Sequence, residues 1–330
     1  MDWGERDIHV PGICNLRVMN VNSTGSRVCL VISAIACIVL PRFNLAAQDA
    51  NPAQQRFKVT EITPNVLVFA TRTGNVLASV GKDGALLIGT PSEESTEQIS
   101  NMVASRTQSA FRYVVIWPED PAHSEADAGW QRRGAFVAIH ENALGHMSAN
   151  SANMMELPKG PQRFAELGVE LPRVIFSEVL AFNMNGDAIH VVHQKPGYSD
   201  ADALVHFHVN KVVYLGEDFP GDGYPLIDET QHGTLTGLLA TLEAVEPWVD
   251  ASMHVVPARG EVTNGAGLQA FHDMIVTVRD RIKGLVKQGQ KEEQVIARHP
   301  TAEFDARWGL GRVTPDAFVK EVFAAVAQKK

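Results

Sequence analysis

Three cysteines, Cys14, Cys29 and Cys37, stand near the amino terminus of this 330-residue chain, and none follows them. The rest of the protein therefore has no thiolate metal site, no Cys-x-x-Cys redox pair, no cysteine nucleophile and no disulfide. Clustered Lys and Arg are also missing, and the formal net charge is -9. A footprint on phosphate backbones or an anionic membrane surface needs such clusters, so nucleic acid is excluded as the main partner. No Gly-x-Ser-x-Gly elbow supports a serine hydrolase. Gly216, Gly221 and Gly223 lack the Lys-Ser/Thr ending and the following helix of a phosphate loop. No apolar run reaches the about 20 residues of a membrane-spanning helix. What remains is a globular composition, 45% hydrophobic and 20% charged, long enough for one large core or two modest ones.

The longest apolar run, 28–40 (VCLVISAIACIVL), follows Arg17 and Arg27 and precedes Pro41, Arg42 and Leu45-Ala46-Ala47. Its length suits a signal-peptide core, which makes residues 1–47 an export segment cleaved after Ala47, with Met19 as the expected start. An uncleaved anchor and a lipid-attached Cys37 are the alternatives; against the latter, Ile38, Val39 and Leu40 continue the apolar run. The expectation is a periplasmic or extracellular protein without a membrane span after cleavage.

Beyond the leader, β-rich runs at 58–62, 65–69, 75–80 and 85–88 are separated by Thr-Pro, Thr-Gly and Lys-Asp-Gly and read as consecutive hairpins. A helix is expected over 92–105, opened by acidic residues that suit its amino-terminal dipole. Buried strands are expected at 112–116 (RYVVI) and 135–139 (AFVAI), and a polar surface excursion over 148–172. A second set of strands begins near Val174, with 188–192, 203–207, 212–215 and 253–256, and a helix over 236–246. Over 266–287, Leu268, Phe271, Met274, Ile275, Val278, Ile282 and Leu285 recur every three or four residues, which predicts a long amphipathic helix. Strands and helices alternate in two similar halves, 57–147 and 173–288. One α/β domain over 57–330 is the economical organisation.

The hairpin ITPNVLVFATRTGNVLASVGKDGALLIGT, the strand RYVVI leading into a loop, AFVAIHEN, PGYSDADALVHF, VVYLGEDF with YPLID, VVPARGEVT and PTAEFDARWG follow one another in this order. Together they resemble the metallo-β-lactamase superfamily, in an exported hydrolase-like branch. The resemblance implies a four-layer α/β/β/α sandwich with its site in loops at one edge of two sheets. It also implies zinc, because the family's His-x-His-x-Asp-His loop converges on two divalent metals, which make a hydroxide nucleophile by lowering the pKa of bound water.

Here that loop reads Pro118-Glu119-Asp120-Pro121-Ala122-His123. Pro118 and Asp120 stand at the first two His positions, Ala122 at the Asp position, and His123 alone is kept. Further on, Tyr198 takes a ligand His position, Glu217 that of the metal-bridging Asp, and Arg259 that of the last His. Where the family has Val-Asp-Thr-Gly, the chain has Ile88-Gly89-Thr90-Pro91. A guanidinium facing two cations would repel them and pair with Glu217 and Asp120 instead. The expectation is therefore a metal-free site of Asp120, His123, Tyr198, Glu217 and Arg259, with no cofactor. Such a protein has lost dinuclear hydrolysis and serves as a binding or accessory protein, its partner a small molecule, an anion for instance, or another protein. The alternative is a divergent hydrolase in which His123, Tyr198 and Glu217 are catalytic. It would hold one iron or manganese ion on Asp120, His123, Tyr198 and Glu217, or use metal-free acid/base chemistry.

The remaining histidines carry less signal. His140 is expected in a structural or rim role. His206 and His208 alternate on one face of an expected strand, a spacing that suits either a metal or ordinary strand histidines. Trp117, Trp130, Phe219 and Tyr224 lie in or beside the loops that would rim the site, as a stacking wall or as loop anchors.

Overall fold

The computed structural model describes residues 57–89, 91, 93–107, 111–117, 129–149 and 172–327. The leader at 1–47, most of the surface excursion at 148–172 and the loop from Pro118 to His123 lie outside the described residues.

The first half of the chain is built from short β-rich runs, most of them buried on both faces between layers. β1 (Lys58–Thr63), β2 (Val66–Ala70), β3 (Asn75–Gly81) and β4 (Gly84–Ile88) form an antiparallel meander. After α1 (Glu93–Arg106), the strands β5 (Phe111–Val115) and β6 (Phe136–His140) add in parallel. Then come α2 (Glu141–Ala149) and β7 (Val174–Phe176), which completes a seven-stranded sheet in chain order. The second sheet has the order β12-β11-β10-β9-β8, from β8 (Val179–Met184), β9 (Asp187–His193), β10 (Ala203–Phe207), β11 (Val212–Tyr214) and β12 (His254–Val256). The helices α3 (Leu235–Val245), α4 (Gly265–Lys287), α5 (Glu292–Ile296), α6 (Asp305–Trp308) and α7 (Pro315–Ala327) complete the chain.

The apolar residues sort into three layers of contact. Leu77, Leu86, Ile88 and Val115 of the first sheet meet Ile189, Val191, Val205 and Phe207 of the second. On its other face the first sheet packs Leu67, Leu87, Val114 and Val137 against Ile99 and Val103 of α1 and Ala143 of α2. The second sheet packs Leu204, Val213 and Val255 against Leu238 and Leu242 of α3, Phe271 and Ile275 of α4, and Phe318 of α7. This is the four-layer α/β/β/α sandwich that the resemblance implies. The apolar stripe expected on α4 is the buried one. Among the described residues no helix is long and apolar enough to cross a membrane.

Two stretches depart from the sequence expectation. β8 was not expected, yet Asn185-Gly186, with φ of 53° and 79°, makes the tight turn that folds it back on β9. The helical half also does not end near residue 288: α7 buries Phe318, Val319 and Val322, and Phe318 stacks on Tyr224 at 4.7 Å. That triplet has helical spacing, so the signal was present in the sequence.

Asn185 also clamps the two sheets together. Its Nδ2 donates to Ser79 Oγ (3.1 Å) and to the Gly84 carbonyl (3.0 Å), and its Oδ1 accepts from the Asp83 amide (3.1 Å). Asn185→Ala removes these bonds and strains the left-handed backbone, so a loss of about 2 kcal/mol is expected from urea denaturation midpoints. Asn185→Gly keeps the backbone conformation and should lose less.

Candidate functional site

Three turns at one end of the second sheet carry the residues singled out in its half of the chain. Tyr198 lies on the loop from β9 to β10, Glu217 directly after β11, and Arg259 directly after β12. The Arg259 turn is fixed by the first sheet. Buried Asn75, at the start of β3, donates its amide to the Ala258 carbonyl (2.6 Å), and its side chain donates to the Pro257 (2.9 Å) and Gly260 (3.0 Å) carbonyls. A side chain on one sheet thus sets the position of a cation on the other.

Glu217 is 3% exposed and takes the whole fork of Arg259: Nη1 donates to Oε1, and Nη2 donates to Oε2 at 2.7 Å. Arg312 adds a third donor, Nη2 to Oε2 at 3.2 Å, and Asp222 Oδ1 lies 3.4 Å from Arg259 Nε. A bidentate guanidinium on a buried carboxylate is a strong, directional pair. It leaves the carboxylate oxygens facing donors and not an open metal position.

The loop that presents Tyr198 is held by two buried acids that the sequence reading did not single out. Asp202 accepts from the Gly197 amide (3.0 Å), the Ser199 amide (3.0 Å) and Ser199 Oγ (2.8 Å). Asp218 accepts from the Tyr198 amide (3.0 Å). The two carboxyl groups also act on each other's ionisation, and the proton is favoured on Asp218. Burial raises the pKa of Asp218 well above the usual carboxylate range, and the neighbouring Asp202 charge adds to it. Asp202 is raised by burial too, against the opposing effect of its donors. The approach is close: a Cβ on Gly197 would stand 2.1 Å from Asp218 Oδ1, so only glycine fits. On its outer side the loop is tied to α2 and β9. His146 Nε2 lies 2.6 Å from Asp200 Oδ1, and Asn142 Nδ2 donates to the Asp200 carbonyl at 2.7 Å. The signal for this arrangement is the Ser-Asp-Ala-Asp run after Tyr198, in which Asp202 binds backbone and Asp200 meets His146.

Between the Tyr198 loop and the Glu217 turn lies a cavity of about 10 Å³, room for about one water. Trp117, Tyr198, Glu217 and Gln231 are among the residues that line it. Of the four aromatics expected near the site, Trp117 lines the cavity. Trp130, Phe219 and Tyr224 are buried core anchors, packed on Phe111, Phe271 and Phe318 respectively. His140 is structural: its Nε2 meets the Ser177 carbonyl at 2.8 Å, its ring stacks on His193 at 4.0 Å, and burial lowers its pKa. Pro118, Asp120, Ala122 and His123 lie outside the described residues.

The donor set does not fit the zinc pair that the resemblance implies. Arg259 has no lone pair to offer, and it occupies Glu217. Gly89, at the position of the family's steadying Asp, has φ +89°, and a Cβ there would lie 3.3 Å from the Asn75 carbonyl. Among the described residues no three His, Cys, Asp or Glu side chains are arranged to hold a metal.

The raised Asp218 pKa has a stability consequence. Unfolded aspartate ionises near pH 4, whereas native Asp218 keeps its proton to a higher pH. Stability from this group is full below about pH 4 and falls as pH rises towards the native pKa, by at most about 1.4 kcal/mol per pH unit. Asp218→Asn keeps a donor for Asp202 and an acceptor for the Tyr198 amide with no proton to lose. Its stability advantage over the wild type, read from urea midpoints, should widen from pH 5 to pH 8.

No protein-family profile and no curated protein sequence matches the chain. Solved structures do. A metallo-β-lactamase from Pontibacter korlensis shares 17% identity over 67% of this chain and 99% of its own, with a TM-score of 0.52. One from Hirschia baltica shares 14% over 66% of this chain and 97% of its own, with a TM-score of 0.51. A stereoselective inverting sec-alkylsulfatase from Pseudomonas sp. shares 12% over 81% of this chain, with a TM-score of 0.63, and the chain spans 50% of that protein's length. At these identities the likeness is one of architecture: the chain has the metallo-β-lactamase fold.

Proposed function

We propose that the chain is an exported binding or accessory protein on the metallo-β-lactamase fold, a pseudo-enzyme whose loops hold an arginine–carboxylate cluster in place of a metal pair. The observation that carries this reading is the fork of Arg259 on both oxygens of buried Glu217. A cation that belongs to the protein neutralises the carboxylate permanently, and a divalent ion placed beside it would meet a like charge. No zinc and no other cofactor enters this reading, and no hydrolytic step is routed through one.

The ligand is a small anion or a protein partner. Arg312, half-exposed beside Glu217, offers a guanidinium that solvent still reaches. Because the cavity holds about one water, a larger ligand lies over the rim or displaces the loops. A sec-alkylsulfatase among the fold neighbours makes sulfate and sulfate esters the first anions to test.

Export rests on the apolar run at 28–40 and the small-residue stretch ending at Ala47. The secreted form should begin at Gln48, which intact-mass measurement of protein recovered from the periplasm or medium checks. The site is tested by restoring ligands. Arg259→His with Glu217→Asp should show no turnover on a panel of esters, lactams, thioesters and phosphodiesters, because Pro118, Ala122, Tyr198 and Gly89 remain. Recovered turnover would overturn the reading. So would wild-type metal that survives dialysis against a chelator and is lost in Glu217→Gln.

A further inference from the structure

The outer face of the second sheet carries a histidine cluster that the site above does not use. Successive side chains of a strand point to opposite faces. Val205 and Phe207 enter the core between the sheets, so His206 and His208 face outward with Leu204. His190, on β9, is the direct cross-strand neighbour of His206. His208 follows the end of β10 away from Tyr198, Glu217 and Arg259, so the cluster lies towards the opposite end of the strands.

The His208 ring is in contact with both of the others. His208 Nε2 and His190 Nδ1 are 3.0 Å apart, and the ring centroids are 4.5 Å apart for His190 and His208 and 4.0 Å for His206 and His208. His206 also packs on Trp248 at 4.8 Å. We propose that His190, His206 and His208 form a three-imidazole site for a borderline divalent cation, Zn²⁺ or Ni²⁺.

In their present rotamers the rings do not converge on one point, and His190 and His208 share a hydrogen bond instead. Two nitrogens bound to one ion at about 2.0–2.1 Å in near-tetrahedral geometry lie roughly 3.3–3.4 Å apart. The observed pair therefore opens by a few tenths of an ångström as the ion enters between the two nitrogens, and the shared proton passes through solvent to the other nitrogen of its own ring. His206 reaches the ion by turning its ring, a soft two-fold torsion. Water fills the fourth position, since His208 is exposed. A ligand imidazole must be neutral. Imidazole donors favour Zn²⁺ and Ni²⁺ over Mg²⁺ and Ca²⁺.

The test is calorimetric titration of the tag-free full chain with Zn²⁺ and Ni²⁺ near neutral pH, with Mg²⁺ as the non-binding control. One site is expected, lost in His190→Ala/His208→Ala and weakened about tenfold or more in His206→Ala. His254→Ala, outside the cluster, should bind like the wild type. Any contribution from Cys14, Cys29 and Cys37 is common to all variants and cancels in the comparison. As a second measurement, bound Ni²⁺ should quench Trp248 fluorescence, and Trp248→Phe should lose the quench while keeping the binding. The proposal is overturned if the wild type binds neither ion, or if the double variant binds as the wild type does. Metal that persists in the double variant but is lost in Glu217→Gln belongs to the candidate site and also counts against the metal-free reading of that site.

Discussion

Three carboxyl groups, Asp202, Glu217 and Asp218, are buried where the loop from β9 to β10 crosses the turn after β11, and each needs its charge neutralised or fully hydrogen-bonded. An ionised carboxylate without a partner in such surroundings costs several kcal/mol. The molecule meets the requirement in two ways. Glu217 receives guanidinium groups, and burial beside Asp202 favours the protonated form of Asp218. The placement of Tyr198, Glu217 and Arg259 follows from these two solutions, because the same acids that need neutralising also bind the backbone of the loops.

A fixed cation and a bound metal do different work in such a place. A metal leaves, returns, and offers open coordination positions to water or substrate, and that openness is what makes it catalytic. Arg259 does none of this: it is anchored through a turn whose carbonyls are gripped by Asn75, and both of its terminal nitrogens are spent on Glu217. Charge is balanced in either case, so the fold tolerates either arrangement, and on the proposed reading the chemistry of a metal does not carry over. Fold and function separate at this point.

Much of this was legible in the sequence, because the constraints involved are local. The meander from β1 to β4 shows in its turn residues, and α4 in its apolar spacing. The opposition of Arg259 and Glu217 follows from charge once the loops are placed by their motif order. What escaped depends on contacts far apart in the chain. Asp202 and Asp218 look like ordinary surface acids until the loops are brought together, and nothing in the sequence says that one of them stays protonated. Trp130, Phe219 and Tyr224 border the site loops in the sequence, yet they turn into the core, because their burial is decided by Phe111, Phe271 and Phe318. α7 escapes notice for another reason: its apolar triplet is short, and its partners lie on α3, α4 and α5.

The way the loops are held explains how ligand positions could change without collapse of the site. In a metal centre the ion itself is a structural element, and losing it loosens the loops that bind it. Here the loop carrying Tyr198 is fixed by Asp202, by Asp218 and by the contacts of Asp200 with α2 and β9. The Arg259 turn is fixed by Asn75. None of these groups needs a metal to do its work, so the backbone geometry of the site is independent of what the side chains at its centre bind. On the proposed reading, binding energy from a ligand at this rim would not be spent on ordering these loops, so a modest set of contacts around Arg312 would serve for recognition.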